Sequence, residues 1–248
     1  MTATALPIAI PTPTFATSTW TDILAHAMTG ELIASMNYTA LAGICDDPEE
    51  IADAREHAEG ESGHAAAFAA EGQKIGVTIK SNVDGKYWRR LRESFMRSVA
   101  ERDFIGCLVI QEVMLESFAV ASYERVGRVG PGTLGTTFTA IAIEEAGHIE
   151  HAMSILRAER EKDEEAFDAK VHRIHLDVMT TLAEMLAKED PHGHCGVCQG
   201  NCIKHSLPGV GLTTAELRGA ALQQYLKTLD MLGLPGEMTL AWVAKLPV

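Results

Sequence analysis

The chain is poor in aromatic residues and has no long uncharged hydrophobic stretch. Aromatic residues make up 6% of the 248 residues, although 46% of the residues are hydrophobic. No run of 18 uncharged apolar residues occurs, so we expect no membrane-spanning helix. The opening residues, MTATALPIAI, include no basic residue, so we do not expect a secretory signal either.

Positive charge and cysteine are also scarce. The 34 acidic and 21 basic residues give a formal net charge of −13, which argues against a broad nucleic-acid surface and against adhesion to an anionic membrane. Five cysteines are too few for a disulfide framework in a chain of this size. We therefore expect a cytoplasmic protein.

Alternating patterns typical of strands are absent, and the chain from Ser18 onward is rich in Ala, Leu, Glu and Met, which favours helices. The predicted fold class is all-α. Residues 1–17 are expected to form a flexible arm, residues 18–189 a helical bundle, and residues 190–248 a loop rich in Cys and His followed by C-terminal helices packed on the bundle. One helix is expected to run without interruption over about 102–127.

Two Glu-x-x-His motifs, Glu61/His64 and Glu145/His148, lie on predicted helices. A glutamate on each preceding helix lies at the same distance from the intervening turn as the motif's own glutamate. The midpoint of Glu31 and Glu61 is residue 46, within the turn at 46–48, and the midpoint of Glu116 and Glu145 falls at 130–131, within the turn at 130–132. Because such residues lie level in an antiparallel hairpin, each motif should face one further carboxylate.

The two hairpins also repeat each other. Glu31 of the first corresponds to Glu116 of the second, 85 positions later, and the Glu61/His64 motif corresponds to Glu145/His148, 84 positions later. Packed together, they would bring four carboxylates and two imidazoles to the middle of the bundle, which is the ligand set of a carboxylate-bridged di-iron or di-manganese site. The predicted metal ligands are Glu31, Glu61, His64, Glu116, Glu145 and His148. The alternative is that these are surface glutamates and hydrogen-bonded histidines, but inward carboxylates without metal would repel one another. Glu112, one turn before Glu116, is an alternative or additional ligand.

The loop after residue 190 concentrates residues of metal-binding type: His194, Cys195, Cys198, Cys202 and His205. Our first interpretation is a zinc site with three Cys and one His. A small iron–sulfur centre, free thiols and a disulfide remain alternatives.

A segment of opposite charge to the rest of the chain covers residues 80–97. It contains six basic residues against two acidic ones, namely Lys80, Lys86, Arg89, Arg90, Arg92 and Arg97 against Asp84 and Glu93. A solvated helix face is one explanation, and a docking surface for an acidic electron carrier is the other.

Four stretches of the chain resemble the cyanobacterial aldehyde-deformylating oxygenases, or fatty aldehyde decarbonylases, a branch of the ferritin-like di-iron proteins. The stretches are Gly30-Glu31 with Asn37-Tyr38, Glu61-x-x-His64-x3-Phe68, Cys107 to Tyr123 with Gln111 and Glu116, and Glu145-x-x-His148. The resemblance covers roughly residues 20–180 and selects Glu116 over Glu112.

This resemblance implies a ferritin-like four-helix bundle with additional helices, and two iron ions, with manganese as the alternative. It implies O2-dependent cleavage of a long-chain fatty aldehyde to an alkane or alkene plus formate, with electrons supplied by an external donor such as ferredoxin. Tyr38, Gln111 and Tyr123 are catalytic candidates that would position the metal ligands. Two other functions stay open: a di-iron N-oxygenase or hydroxylase acting on another substrate, and a non-enzymatic iron-binding or ferroxidase protein.

Overall fold

The structure, a computed structural model, describes residues 15–187, 195–200 and 202–247, and all regular elements in these ranges are helices. They are α1 (Phe15–Ala42), α2 (Pro48–Lys74), α3 (Lys86–Ala100), α4 (Phe104–Leu108), a π-helical segment (Val109–Leu115), α5 (Glu116–Val129), α6 (Gly132–Lys162), α7 (Glu164–Leu186), α8 (Ile203–Ser206), a 3₁₀ turn (Leu207–Val210), α9 (Thr214–Met231) and α10 (Gly236–Val243). The prediction of an all-α fold is confirmed. Residues 1–14 of the predicted arm and His194 lie outside the described residues, and α1 begins at Phe15, three residues earlier than expected.

Two long hairpins form the bundle: α1 packs along α2, and α5 packs along α6. The start of α2 is fixed by local sequence: the Asp47 side chain accepts a hydrogen bond from the Glu49 backbone N–H at 2.8 Å, and Pro48 is the first helical residue. Glu49 and Glu50 then lie at the positive end of the helix dipole.

The second hairpin turn depends on two glycines that let the backbones of α5 and α6 approach each other. A Cβ atom on Gly135 would lie 2.4 Å from the Gly130 carbonyl oxygen, and one on Gly130 would lie 2.7 Å from the Gly135 Cα atom. Both obstacles are backbone atoms, which cannot swing aside as a side chain would. Close approach of the hairpin arms therefore requires glycine at both positions.

The expected uninterrupted helix over 102–127 is wrong in two respects. The chain turns at Arg102, which has a positive φ of 51°, and a π-helical segment separates α4 from α5. In an α-helix, residues five apart point about 140° away from each other. A π-helix bonds residue i to residue i+5 and therefore brings such residues onto one face.

One continuous helical stretch, Phe104–Val129, is long and apolar enough to cross a membrane by length and composition. However, 72% of its most apolar window is buried inside the protein, as is usual for the central helix of a bundle. Helix α9 packs against this stretch, and the Thr228 hydroxyl of α9 lies 2.9 Å from the Ser117 hydroxyl of α5. A capping box between Thr213 and Glu216 begins α9.

Candidate metal centre

The two hairpins bring all six predicted ligands together in the middle of the bundle. Glu31 lies on α1, Glu61 and His64 on α2, Glu116 at the start of α5, and Glu145 and His148 on α6. All four carboxylates are at most 3% exposed, and His64 is 7% exposed. Whether these side chains hold metal stays a prediction, and their geometry allows a test of fit.

The six side chains divide into two groups of four that share two members. In each group one ligand atom per residue lies within 4.8 Å of all the others. The groups are Glu31, Glu61, His64 and Glu145, and Glu61, Glu116, Glu145 and His148. Two neighbouring ions bridged by two carboxylates would need such an arrangement, in which Glu61 and Glu145 could be the bridges.

The imidazoles point their Nδ1 atoms into the centre. His64 Nδ1 lies 3.1 Å from Glu31 Oε2 and 3.0 Å from Glu145 Oε1. His148 Nδ1 lies 3.0 Å from Glu145 Oε2 and 3.3 Å from Glu61 Oε1. On the other side of the ring, His64 Nε2 lies 2.8 Å from the exposed Glu144 carboxylate, which can fix the tautomer of the histidine.

Contacts with His64 and His148 strongly affect the pKa values of the cluster. Burial is the largest influence on the pKa of Glu31 and of Glu116, and it raises both values, as do the neighbouring carboxylates. Burial alone would also raise the pKa of Glu145, but hydrogen bonds with His148 and His64 outweigh it and hold this pKa at about 2. Burial lowers the pKa of His148, yet its bonds to Glu145 and Glu61 raise it to about 10. The centre therefore strongly favours positive charge.

Several oxygens that face the centre lack a well-oriented hydrogen bond. These are Oε1 of Glu61 and both carboxylate oxygens of Glu145, the two residues shared by the groups. Their close contacts with the imidazoles, at 3.0–3.3 Å, are poorly oriented, and buried carboxylate oxygens without a well-aligned partner are costly. Two divalent cations would neutralise the four carboxylates and coordinate these oxygens, so the donor set fits a dinuclear centre.

A second layer of side chains holds the carboxylates in place. The Tyr123 hydroxyl donates to Glu31 Oε1, and Gln111 Nε2 donates to Glu116 Oε1 at 2.7 Å. The Gln111 amide is itself oriented by Asn37, whose Nδ2 donates to Gln111 Oε1 at 2.8 Å. The π-helical segment makes the contact between Gln111 and Glu116 possible, because these residues are five apart.

Glu112 is buried beside the cluster but belongs to neither group of four. Tyr38 donates to its Oε1 at 2.7 Å and lies 3.4 Å from Glu116 Oε1. Glu112 instead forms a third group with His57 and His151. Burial raises the pKa of Glu112 to about 8. The geometry therefore favours Glu116 over Glu112 as the metal ligand. Glu112 adjoins Glu116 through the Tyr38 hydroxyl that contacts both.

The predicted zinc loop is only partly assembled as expected. Cys195 and Cys198 form a group with His26 of α1, a residue that the sequence analysis did not include. His205 is exposed and lies outside this group, and His194 is not among the described residues. His26 is 169 positions from Cys195, so no local spacing in the sequence could have indicated the pairing.

A cavity of roughly 1090 Å³, counted with its opening to solvent, is lined both by the carboxylate cluster and by cysteine residues. We call the part lined by the buried Glu31, Glu61 and Glu116 its inner end, and the part lined by Cys195 and the partly exposed Cys202 its outer end. The wall between them is mainly apolar, and includes Ile33, Phe118, Ala119, Phe138, Leu182 and Met185. Such a cavity suits an elongated apolar ligand whose polar end reaches the carboxylate cluster.

A model of the long-chain fatty aldehyde decarbonylase family matches residues 15–190 of the sequence. The chain belongs to this family. Its fold is similar to that of a solved Synechococcus structure described as protein 19 with aldehyde deformylating oxidase activity, with a TM-score of 0.80 and 18% sequence identity over 94% of this chain and 98% of that chain.

Membership in the decarbonylase family confirms the resemblance inferred from the motifs, and the structural similarity confirms the ferritin-like bundle. The match begins at Phe15, where α1 begins, and covers every residue of the two ligand groups. The fatty aldehyde decarbonylases are enzymes, so the buried cluster and the cavity beside it form the candidate active site.

Proposed function

We propose that the protein is a di-iron oxygenase that cleaves a long-chain fatty aldehyde to an alkane or alkene and formate. The observation that carries the proposal is the pair of ligand groups sharing Glu61 and Glu145 at the inner end of an apolar cavity. The overall reaction balances when the aldehyde, O2, four electrons and four protons give the hydrocarbon, formic acid and water. Iron in the centre would bind and reduce O2, and manganese is the alternative metal.

The chain's own residues would hold both metals and substrate. Glu31 and His64 would bind one ion, Glu116 and His148 the other, and the shared carboxylates both. The apolar wall would exclude water from the reacting carbon, which protects reactive species from side reactions. The carboxylate cluster at the inner end is polar, whereas the wall of the cavity is mainly apolar. The aldehyde group, rather than the alkyl chain, would therefore lie toward the cluster.

Buried hydroxyl and amide groups would keep the carboxylates in the required orientation. Tyr123 and Gln111 each donate a hydrogen bond to a predicted ligand, and Tyr38 links Glu112 with Glu116. Burial is the largest influence on the pKa values of Tyr38 and Tyr123 and raises both, so the phenols stay protonated and act as donors. Their proposed role is to position the ligands.

An external electron donor such as ferredoxin is part of this proposal, and α3 offers a smaller docking surface than the sequence suggested. Arg90 contacts Glu184 at 2.5 Å, and Arg97 pairs with Asp177, both on α7. These two cations hold α3 to α7. Arg89 remains largely exposed, and its ion pair within the described part of the chain is with Glu93 of the same helix, at 3.7 Å.

The test is turnover of a saturated C18 aldehyde by the iron-loaded protein with O2, ferredoxin and its reductase. We expect a C17 alkane and formate in equal amounts. The matched control is the Glu61→Ala/His64→Ala variant, which should lose iron and activity together. A hydroxylated product would instead favour a hydroxylase acting on another substrate. Iron oxidation without any hydrocarbon product, by a protein that assembles into a large multi-subunit shell, would favour the ferroxidase function.

A further inference from the structure

A second cluster of metal-binding side chains lies at the outer end of the cavity. His26 Nε2 is 3.4 Å from the Sγ atoms of both Cys195 and Cys198. The Cys198 thiol also contacts the thiols of Cys195 and Cys202. One imidazole and two thiols from two distant parts of the chain therefore form one metal-binding group, and the Cys202 thiol lies beside it, next to Cys198.

The distances match those required by a small tetrahedral centre. With metal–sulfur bonds of about 2.3 Å and metal–nitrogen bonds of about 2.0 Å, the N···S edge of a tetrahedron is about 3.5 Å long. Both observed N···S distances are 3.4 Å. A hexacoordinate oxygen-preferring cation would need other donors, whereas two sulfurs and one nitrogen, with the neighbouring Cys202 thiol as the fourth donor, would suit zinc.

The backbone around the cysteines supports the sulfur atoms and fastens the segment to the bundle. The Ile203 N–H donates to Cys198 Sγ at 3.1 Å, a contact that stabilises a thiolate. On α1, the buried Asp22 Oδ1 accepts hydrogen bonds from the backbone N–H groups of Gln199 at 2.6 Å and Gly200 at 3.0 Å. The Cys195 carbonyl accepts a bond from the Lys86 N–H at 3.0 Å.

We propose that His26, Cys195, Cys198 and Cys202 bind one zinc ion that fixes the cysteine-containing segment across the outer end of the cavity. The site would join α1 to residues 195–200 and Cys202, which precede α8 and have no regular secondary structure. Because Cys195 and Cys202 also line the cavity, the ion would set the shape of its outer wall. The proposal does not depend on the substrate or on the metal in the carboxylate cluster.

The first experiment measures zinc in protein whose carboxylate cluster has been disabled by Glu61→Ala/His64→Ala, so that the cluster cannot take up the ion. After gel filtration with excess zinc, we expect one zinc per chain. Adding Cys198→Ser or His26→Ala should reduce zinc to well below half an equivalent. Adding Cys45→Ser, which changes a thiol in no described metal group, should leave one equivalent.

The second experiment needs no variant and therefore does not depend on how well the variants fold. Co²⁺ is added to the metal-free full chain, and the absorption spectrum is recorded. Tetrahedral thiolate coordination should give intense visible bands and sulfur-to-metal charge-transfer bands, whereas Co²⁺ in the carboxylate cluster would absorb only weakly. Zinc should then abolish the intense bands.

Each alternative has its own signature in these experiments. A disulfide would appear as loss of two free thiols and of all cobalt–thiolate absorption under non-reducing conditions. An iron–sulfur centre would appear as acid-labile sulfide in the isolated protein. Either result, or full zinc binding by the Cys198→Ser protein, would overturn the proposal.

Discussion

Glu61 and Glu145 differ from the other predicted ligands because each belongs to both groups of four side chains. Loss of either bridge would remove a ligand from both ions, whereas loss of Glu31 or Glu116 would affect only one. The neighbouring Glu112 is equally buried but makes its closest contact with the Tyr38 hydroxyl. Burial alone therefore does not separate Glu112 from the predicted ligands, whereas membership in the two groups of four does.

At the residue scale, the assignment of Glu116 rather than Glu112 can be tested with two isosteric variants. Glu116→Gln should reduce iron from two per chain to about one, because one of the two ions would lose a charged ligand. Glu112→Gln should leave two iron ions, since an amide can still accept the hydrogen bond from Tyr38. Iron is measured by elemental analysis after gel filtration. The opposite result in the two variants would reverse the assignment.

The sequence was sufficient to predict both hairpins and the convergence of six side chains, because each depends on residues placed symmetrically about a recognisable turn. It was not sufficient for His26 or for the interruption at 109–115. The cysteine–histidine contact joins residues 169 positions apart, and helix propensities do not distinguish an α-helix from a π-helical turn. Both features are fixed by tertiary packing around the cavity and the cluster.

At the scale of elements, two features determine how α5 faces the cluster: the π-helical segment before it, and the turn after it, where Gly130 lies against Gly135 of α6 (the glycine turn). The segment rotates Gln111 onto the face of Glu116, and the turn brings α6 close enough for Glu145 and His148 to meet α2. These are the places where the backbone departs from a regular helix. Such departures often lie at functional sites because they direct side chains that a regular helix would turn away.

The glycine turn gives a prediction about stability. Gly135→Ala should lower the free energy of unfolding by about 1–3 kcal/mol, because its methyl group would collide with backbone atoms. The control is Gly219→Ala, at an exposed position in α9 where an added Cβ meets nothing within 4 Å. It should stabilise the protein by up to about 1 kcal/mol through helix propensity. Equal effects in thermal unfolding would show that the close approach is not limiting.

On the scale of the whole molecule, four buried carboxylates make the fold dependent on what neutralises them. Iron that binds only the folded state should raise stability by about 3 kcal/mol at a hundredfold excess over its dissociation constant. For a chain of this length that corresponds to roughly 5–10 °C in Tm. Differential scanning calorimetry of metal-free and iron-loaded protein measures the shift. The same comparison in the Glu61→Ala/His64→Ala variant should show almost none, and equal melting temperatures in the unmodified protein would contradict a buried metal cluster.

Docking of an acidic electron donor such as ferredoxin also depends on the whole molecule. The protein has a net charge of −13, so attraction of the donor would require a local positive surface. Arg89→Glu should slow turnover supported by ferredoxin by a few-fold at low salt, through weaker electrostatic attraction, and the difference should shrink as salt is added. Arg128→Glu is a close control: Arg128 is 64% exposed and lies 3.4 Å from Glu124, four residues earlier on its helix, while Arg89 is 60% exposed and pairs with Glu93. The control should have little effect, and turnover with a small chemical reductant should be unchanged in both variants. If Arg89→Glu slows the reaction equally with ferredoxin and with the reductant, α3 affects the catalytic centre rather than docking.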